Sequence, residues 1–463
     1  MEAQAISDKA IKKKILSMVI PITAENILQM TAGLVSMAMV GRISAVAVGA
    51  IGLSNVIMRL IWAVFKGISI GTTILVAQSY GAGNVKKLAR VSVQGILLSI
   101  AFASLFLVLL LVSSEQVLEI FGAGPELITN ATLYTRILSF SLPATAAILI
   151  VSGIFQGMGD AKTPMLIVGV LNITNIILSY VLIFGVVGIP AMGIQGAAIA
   201  YTISYVIAAI MAFRFLLSKS KGLRGRIGLG VRINIPEAFS IMRYGFPSSF
   251  ETIFWVGSSI FVTRAVLTYG ENAYAAYQLG MQAEAVSFMP AMGLAVCATA
   301  FIGQSVGSKD MELGRKYYKH LVKYTLMFST IAGLIMALFP GIIMGALTNS
   351  RELIGIGSAY LIVMGISQIP QNMTGLYNGT LKGAGYVNMP LVIITVGIWL
   401  VRIPGVLAAT FLFKADLIWI WAIMGMDLFV RYILAYANFR QKNIFKNGDN
   451  FQNQIFEDIS QVK

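Results

Sequence analysis

The ten residues FQGMGDAKTP (155–164) recur 226 positions later as LKGAGYVNMP (381–390), with both glycines and the final proline in register. The same offset, without a gap, relates further proline, glycine, polar and aromatic positions. These pairs are Pro21 and Pro247, Glu25 and Glu251, Gly67 and Gly293, Gln78 and Gln304, Ser79 and Ser305, Gly81 and Gly307, and Tyr134 and Tyr360. Chance identities between two apolar sequences would mostly be Leu, Ile and Val, so the chain is predicted to contain two copies of one unit.

The composition is typical of a membrane protein. Of the 463 residues, 57% are hydrophobic and 11% are charged, whereas ordinary soluble domains carry about 25% charged residues. Apolar runs of roughly 20 residues recur along the chain, and each is long enough to cross a hydrocarbon core of about 30 Å. These runs predict an all-α polytopic membrane protein and argue against a soluble protein.

The apolar runs predict twelve membrane spans, six in each half. The predicted spans cover residues 15–40, 48–78, 93–113, 131–155, 164–186, 194–217, 245–268, 277–304, 320–346, 353–380, 388–412 and 417–440. The predicted domains are an N-terminal six-helix bundle (1–217), a basic cytoplasmic linker (218–243), a C-terminal six-helix bundle (244–440) and a cytoplasmic tail (441–463). Because six is even, both halves enter the membrane in the same orientation, and a cleft between them is the expected substrate path.

Basic residues concentrate on one side of the predicted membrane. Of the 34 lysines and arginines, three (Arg42, Arg351 and Lys414) fall in loops on one side, and six lie well inside the spans. The rest lie in the loops, tails and span ends of the other side. By the positive-inside rule, the basic side is cytoplasmic. The net charge of +15 therefore does not indicate nucleic-acid binding. We expect a multi-pass protein of the plasma (inner) membrane with both termini in the cytoplasm.

The sequence offers little for catalysis or metal binding. Its single cysteine, Cys297, lies in an apolar run, and its single histidine, His320, lies at the end of a basic loop. We find no Walker motif, no GxGxxG dinucleotide-binding loop and no set of nucleophile, base and orienting residue. A membrane-embedded enzyme is therefore disfavoured, and neither a metal nor a cofactor is predicted.

Several of the repeated stretches resemble motifs of the multidrug and toxic compound extrusion (MATE) family. VAQSYGAGN (76–84) and GQSVG (303–307) resemble its VGQxxGA loop, and FQGMGDAKTP (155–164) resembles its RGxGDTKTP loop. The similarity covers about residues 12–440. It implies two pseudo-symmetric six-helix bundles that form a V-shaped central cleft. It also implies antiport, in which small organic compounds, typically cations, leave as H⁺ or Na⁺ enters.

The chain departs from the family pattern at its usual cation site. Ser36, in LVSMAMVG (34–41), stands where the family carries an aspartate on span one. On span five, NIILS (175–179) keeps Asn175 but has a serine at its last position. A serine cannot offset the dehydration of a cation as a carboxylate does, so a sodium site of the usual type is expected to be weak or absent here.

Three glutamates within the spans are the candidate acids for ion coupling. Glu25 and Glu251 are repeat-related, each lies four residues after a proline, and neither has an obvious basic neighbour in sequence. A carboxyl group at mid-bilayer costs at least about 2.5–3.5 kcal/mol, so it needs a partner, water or a function. Alternatively, each hydrogen-bonds the backbone that its proline breaks. The predicted coupling residues are Glu25, Glu251, Glu284, Asn175 and Ser36.

Other charged residues within the spans suggest ion pairs. Asp427 and Arg431 are four residues apart on the last span and share a helical face. Arg264 and Glu284 fall at the outer ends of adjacent spans and form a second predicted pair.

Arg59 and Lys66 lie on one face of span two with Trp62 between them. They either neutralise acids such as Glu25 or make the cavity attractive to anionic or zwitterionic substrates. The predicted cavity residues are Gln29, Arg59, Trp62, Lys66, Trp255, Gln278, Met281, Gln282 and Asn372.

The leading interpretation is a monomeric secondary antiporter in the lipid bilayer that exports small, drug-like organic compounds, with cations the expected class. The alternative is a transporter or flippase of the same superfamily for lipid-linked saccharides or organic anions, since the Arg59–Lys66 face would suit a phosphate.

Overall fold

The computed structural model describes residues 7–42, 44–186, 188, 190–219 and 234–445, and these residues form helices and no strand. In the first half, the helices are α1 (Asp8–Gly41), α2 (Ala45–Gly81), α3 (Val85–Glu119), α4 (Pro125–Ser139), α5 (Leu142–Met158), α6 (Lys162–Phe184) and α7 (Gly193–Lys219). In the second half, they are α8 (Ile235–Leu267), α9 (Glu271–Ser308), α10 (Met311–Leu338), α11 (Pro340–Gly345), α12 (Arg351–Ile366), α13 (Gln368–Gly383), α14 (Asn388–Leu412) and α15 (Leu417–Lys442). Most of the predicted linker, and the predicted tail after residue 445, lie outside the described residues.

The described helices supply the predicted twelve spans. Ten are long and apolar enough to cross a membrane, and two further spans are helix pairs, α4 with α5 and α12 with α13. These pairs bend by 52° and 49°. Pro143 in α5 and Pro370 in α13 lie in the first turn after each bend, where proline cannot donate the backbone hydrogen bond that would continue the preceding helix. The predicted all-α, twelve-span fold is confirmed, but spans four and ten are broken rather than continuous.

The chain divides into two compact units. The N-terminal unit comprises Ala24–Ser249, and the C-terminal unit comprises Met1–Thr23 together with Phe250–Lys463. Helix α1 therefore begins in the C-terminal unit and continues in the N-terminal unit, and α8 does the reverse. Both changeovers fall two residues after a repeat-related proline, Pro21 or Pro247. The domain boundaries that we derived from sequence remain predictions.

A repeated turn ends α2 and α9 and begins the helix that follows. Gly83 and Lys309 occupy repeat-related positions with φ of 64° and 61°. The next residue in each copy, Asn84 or Asp310, accepts a hydrogen bond from the backbone N–H three residues later, at 3.0 and 2.9 Å. This contact caps the next helix. The repeated motif thus specifies a helix stop and a helix start.

Close packing joins α2 to α5 in the N-terminal unit. The hydroxyl of Thr73 donates to the backbone carbonyl of Gly153 at 3.1 Å. A Cβ atom at Gly157 would lie 2.8 Å from the carbonyl oxygen of Thr73. Glycine is therefore needed where the two backbones approach.

The same packing joins α9 to α13 in the C-terminal unit, at positions shifted by 226. Thr299 donates to the carbonyl of Gly379 at 3.0 Å. A Cβ atom at Gly383 would lie 2.6 Å from the carbonyl oxygen of Thr299. The repeat seen in sequence is thus a repeat of one helix–helix contact.

These contacts predict that Gly157→Ala and Gly383→Ala each lower the free energy of unfolding by about 1–3 kcal/mol, the usual effect of overpacking. Thermal unfolding of the purified protein in detergent measures the change. Gly169→Ala in α6 is the matched control, because a Cβ atom there meets nothing within 4 Å. Equal melting temperatures for all three variants would contradict the packing role.

Candidate functional site

The N-terminal unit contains a cavity of about 340 Å³. Its lining includes the predicted cavity residues Gln29, Arg59 and Trp62 and the predicted coupling residues Ser36 and Asn175. Further side chains that sequence reasoning did not commit to also line it. They include Asn55, Met58, Tyr134, Asn172, Tyr201 and Tyr205. The volume is within the range of small-molecule sites, which is about 300–1,000 Å³.

Apart from Arg59 and the indole of Trp62, the described polar lining of this cavity consists of hydroxyl and amide groups. The hydroxyl of Ser36 donates to the side-chain carbonyl of Asn175 at 2.9 Å. Asn172 is 4% exposed, and neither its amide nitrogen nor its amide oxygen has a hydrogen-bond partner among the described residues. None of the described residues in the lining carries a carboxylate. This composition agrees with the expectation that a sodium site of the usual type is weak here, which stays a prediction.

Among the described residues that line the cavity, Arg59 is the one lysine or arginine. Its side chain is exposed, and it makes no hydrogen bond or salt bridge within the described part of the chain. Lys66, seven residues later, lies over the ring of Trp62 at 5.7 Å and interacts electrostatically with Glu25. The two cations that we predicted together thus differ in their surroundings: Lys66 interacts with Glu25, and Arg59 lines the cavity.

Glu25 lies inside the N-terminal unit and is 6% exposed. Its Oε2 atom accepts a hydrogen bond of 3.4 Å from the side-chain amide of Gln156, near the end of α5. Glu25 does not line the cavity, although Ser36, three helical turns along α1, does. Its described side-chain partner is thus an amide, which is neutral.

Glu251 has a different partner. Its Oε2 atom lies 2.8 Å from the ammonium group of Lys382, and the two side chains are 15% and 13% exposed. The other carboxylate oxygen is buried and has no hydrogen-bond partner among the described residues. Sequence reasoning found no basic neighbour for Glu251, because Lys382 is 131 positions away. The internal repeat relates this contact to the one in the N-terminal unit, since Lys382 lies 226 positions after Gln156, the partner of Glu25.

Glu284, the third predicted coupling acid, accepts hydrogen bonds from the hydroxyl of Tyr360 and from the amide of Gln371, the latter at 3.0 Å. The expected pairing with Arg264 is wrong, because no salt bridge joins these residues in the described structure.

Asn372, predicted to line a cavity, is instead buried, and its side-chain amide donates to the hydroxyl of Ser329 at 2.9 Å.

The remaining predicted cavity residues belong to the C-terminal unit and do not line the cavity of the N-terminal unit. Trp255, Gln278 and Gln282 are exposed, and Met281 packs against the C-terminal core. Gln278 donates to the hydroxyl of Tyr274. The structure therefore brings together five of the predicted site residues in one cavity and leaves these four apart from it.

Asp427 forms a buried cluster with two arginines. It pairs with Arg431 on its own helix, which confirms the predicted contact, and also with Arg402 at 2.8 Å. Arg402 ends a π-helical segment of α14 (Val396–Arg402), and sequence reasoning did not anticipate its role. Asp427 is 0% exposed, so the cluster is a structural ion network inside the C-terminal unit.

Among the described residues, no group of three or more histidine, cysteine, aspartate or glutamate side chains could hold a metal ion.

Comparison with known proteins identifies relatives along the whole chain. The family model MatE matches twice, over residues 21–181 and 247–407, which are related by the same offset of 226. The probable multidrug resistance protein NorM of Thermotoga maritima is 30% identical over 432 residues, which cover 92% of this chain and 91% of that protein.

Solved structures share the fold. A MOP superfamily transporter from Pyrococcus furiosus aligns with a TM-score of 0.85 at 20% identity, covering 95% of this chain and 96% of that one. A MATE transporter of Vibrio cholerae aligns with a TM-score of 0.84 at 20% identity, covering 95% and 99%.

The buried cluster predicts the effect of Asp427→Asn. This change leaves two guanidinium groups without their shared carboxylate, so the free energy of unfolding should fall by about 3–5 kcal/mol. Thermal unfolding in detergent is the measurement. Asp416→Asn, at the exposed start of the same helix, is the control and should change little. If both variants melt together, the cluster does not stabilise the C-terminal unit.

Proposed function

We propose that this chain, which belongs to the MatE family, is a secondary antiporter that exports small drug-like compounds in exchange for H⁺ or Na⁺. Membership of this family itself shows that the protein is a multi-pass membrane transporter of the multidrug-efflux type. Members of the family are transporters rather than enzymes. The coupling ion, the substrate class, residence in the plasma membrane, cytoplasmic termini and a monomeric state are parts of the proposal.

The observation that carries ion coupling is the setting of Glu25. It is a buried carboxyl group whose described hydrogen bond is to an amide. An amide can donate to a carboxylate through its nitrogen and accept from a carboxylic acid through its oxygen. Glu25 therefore keeps a partner in both protonation states, as a group that binds and releases a proton during each cycle requires.

The cavity lining favours H⁺ over Na⁺ as the coupling ion of the N-terminal unit. A bound sodium ion must be compensated for its lost hydration, and buried charges in proteins are paired or hydrogen-bonded. Ser36 and Asn175 offer neutral oxygens that already engage each other. Glu251 and Glu284, the other two acids predicted from sequence, are not among the described residues that line this cavity.

The proposal predicts that Glu25→Gln abolishes the transport driven by a pH gradient. Glutamine keeps the shape and the hydrogen bond but cannot carry a proton. In proteoliposomes, uptake of the fluorescent probes ethidium and fluorescein is measured under separate H⁺ and Na⁺ gradients. The rate should fall to that seen without a gradient, while Glu126→Gln at the exposed start of α4 should behave as the wild type. Unchanged pH dependence in Glu25→Gln would refute the assignment.

Arg59 supports a second candidate for the substrate class. Family resemblance leads us to expect organic cations, and the Thermotoga maritima relative is named a probable multidrug resistance protein. Yet the cavity combines an arginine, the unpartnered amide of Asn172 and several aromatic rings. This combination suits an aromatic carboxylate or a zwitterion. It suits a lipid-linked phosphate less, because Lys66, on which that alternative depended, interacts with Glu25.

The two substrate classes predict opposite results for Arg59→Gln. If carboxylates bind at Arg59, the apparent affinity for fluorescein should fall about tenfold or more, since a hydrogen bond to a charged group contributes about 1.5–3 kcal/mol. Transport of ethidium should be unchanged or improved. A loss of ethidium transport with fluorescein untouched would exclude the anion candidate.

A further inference from the structure

The two repeats hold the same acid in two different ways. Glu25 and Gln156 are 131 positions apart, and so are Glu251 and Lys382. All four positions obey the offset of 226, so the second pair is the structural counterpart of the first. The acid is kept in both copies, whereas its contact partner is an amide in one and an ammonium in the other.

Each copy nevertheless supplies one lysine for its acid. In the N-terminal unit, the lysine is Lys66 on α2, which acts on Glu25 electrostatically while lying over the ring of Trp62. The counterpart of Lys66 in the second copy is Met292, which carries no charge. In the C-terminal unit, the lysine is Lys382 itself, in direct contact with Glu251. The balancing charge has thus moved from one helix to another between the copies.

The position of the lysine decides what the acid can do. An ammonium group has only donors and no acceptor, so it bonds an ionised carboxylate and offers nothing to the oxygen-bound proton of a neutral one. Protonation of Glu251 would also leave the part-buried ammonium of Lys382 without its counter-charge, which is destabilising. The amide of Gln156 imposes neither restriction on Glu25.

We propose that Lys382 is a specificity-determining residue that acts as a tethered cation. It fills the cation position beside Glu251, holds that acid in a salt bridge, and confines coupling-ion exchange to Glu25 and its partner Gln156. Lys382 does not touch the transported ion, so it is a positioning residue. This inference rests on the proposed antiport function and says which of the two repeat-related acids performs it.

The second carboxylate oxygen of Glu251 could bind an ion if Lys382 were replaced. That oxygen is buried and unpartnered among the described residues. If Lys382 lost its charge, the carboxylate would have two open oxygens and no counter-ion, and it would recruit H⁺ or Na⁺ from solution. Lys382→Gln, which copies the residue of the first repeat, should therefore add a second ion dependence to transport, whereas Lys382→Arg should not.

The decisive test removes both charges of the pair together. Glu251→Gln/Lys382→Gln leaves no unbalanced charge, so the variant should keep the gradient-driven transport of ethidium or fluorescein within about twofold of the wild type, with the same pH profile. Gln156→Lys brings an ammonium to Glu25 and should lose the gradient-driven component. It should still exchange labelled for unlabelled probe across the membrane, which needs no ion gradient.

Two outcomes would overturn the inference. One is a Glu251→Gln/Lys382→Gln variant that exchanges probe but no longer responds to an ion gradient, which would make Glu251 a coupling acid. The other is a Gln156→Lys variant with the wild-type pH profile. If the neutral pair does not fold, the reversed pair Glu251→Lys/Lys382→Glu replaces it, with the same expectation. A wild-type protein that responds to neither gradient would instead refute the proposed antiport.

Discussion

One helix–helix contact occurs in both repeats, between α2 and α5 and between α9 and α13. The geometry of the sites depends on this contact. Within each unit, a threonine hydroxyl bonds a glycine carbonyl of the neighbouring helix, and a second glycine lets the backbones touch. In the N-terminal unit this contact joins the helix that carries Lys66 to the helix that carries Gln156. Both residues act on Glu25, so the spacing of two backbones determines the electrostatic environment of the acid. A bilayer supplies no water to replace a lost contact of this kind, which makes the glycines as necessary to the site as its charged groups.

Much of the fold could be predicted from the sequence because the repeat and the apolar runs are properties of the chain itself. The offset of 226 identified two copies, and the length of the runs identified twelve spans. The bends in spans four and ten could not be read in the same way, since an apolar run stays apolar across a break in the helix. The early parts of α1 and α8 each pack in the unit formed mainly by the other half of the chain. Hydropathy does not show which other helices a span packs against.

The candidate site was predicted only in part, and the failures have one cause. Ser36, Asn175, Gln29, Arg59 and Trp62 line one cavity of the N-terminal unit. The partners of the acids were missed or misassigned because they come from distant positions: Lys382 for Glu251, Tyr360 and Gln371 for Glu284, and Arg402 for Asp427. Local spacing found the pair of Asp427 with Arg431, where helix geometry alone brings the residues together. Pairs between helices depend on packing, and the only signal for them in a single sequence was the internal repeat.

Duplication explains how the two halves could come to treat the same acid differently. A buried carboxyl group in a membrane must be balanced, but the balancing lysine can stand in contact or act from a neighbouring helix. Contact gives a fixed ion pair, whereas a lysine that acts from farther away leaves the hydrogen-bonding position beside the acid to a neutral group. In the second arrangement, the acid can change its charge without breaking a direct contact between carboxylate and ammonium. Under the proposed antiport, one such acid suffices to couple one ion to a cycle of transport, and the acid of the other copy can serve as a structural pair. The exchange of Gln156 for Lys382 between equivalent positions is the chemical difference on which this proposed division of roles rests.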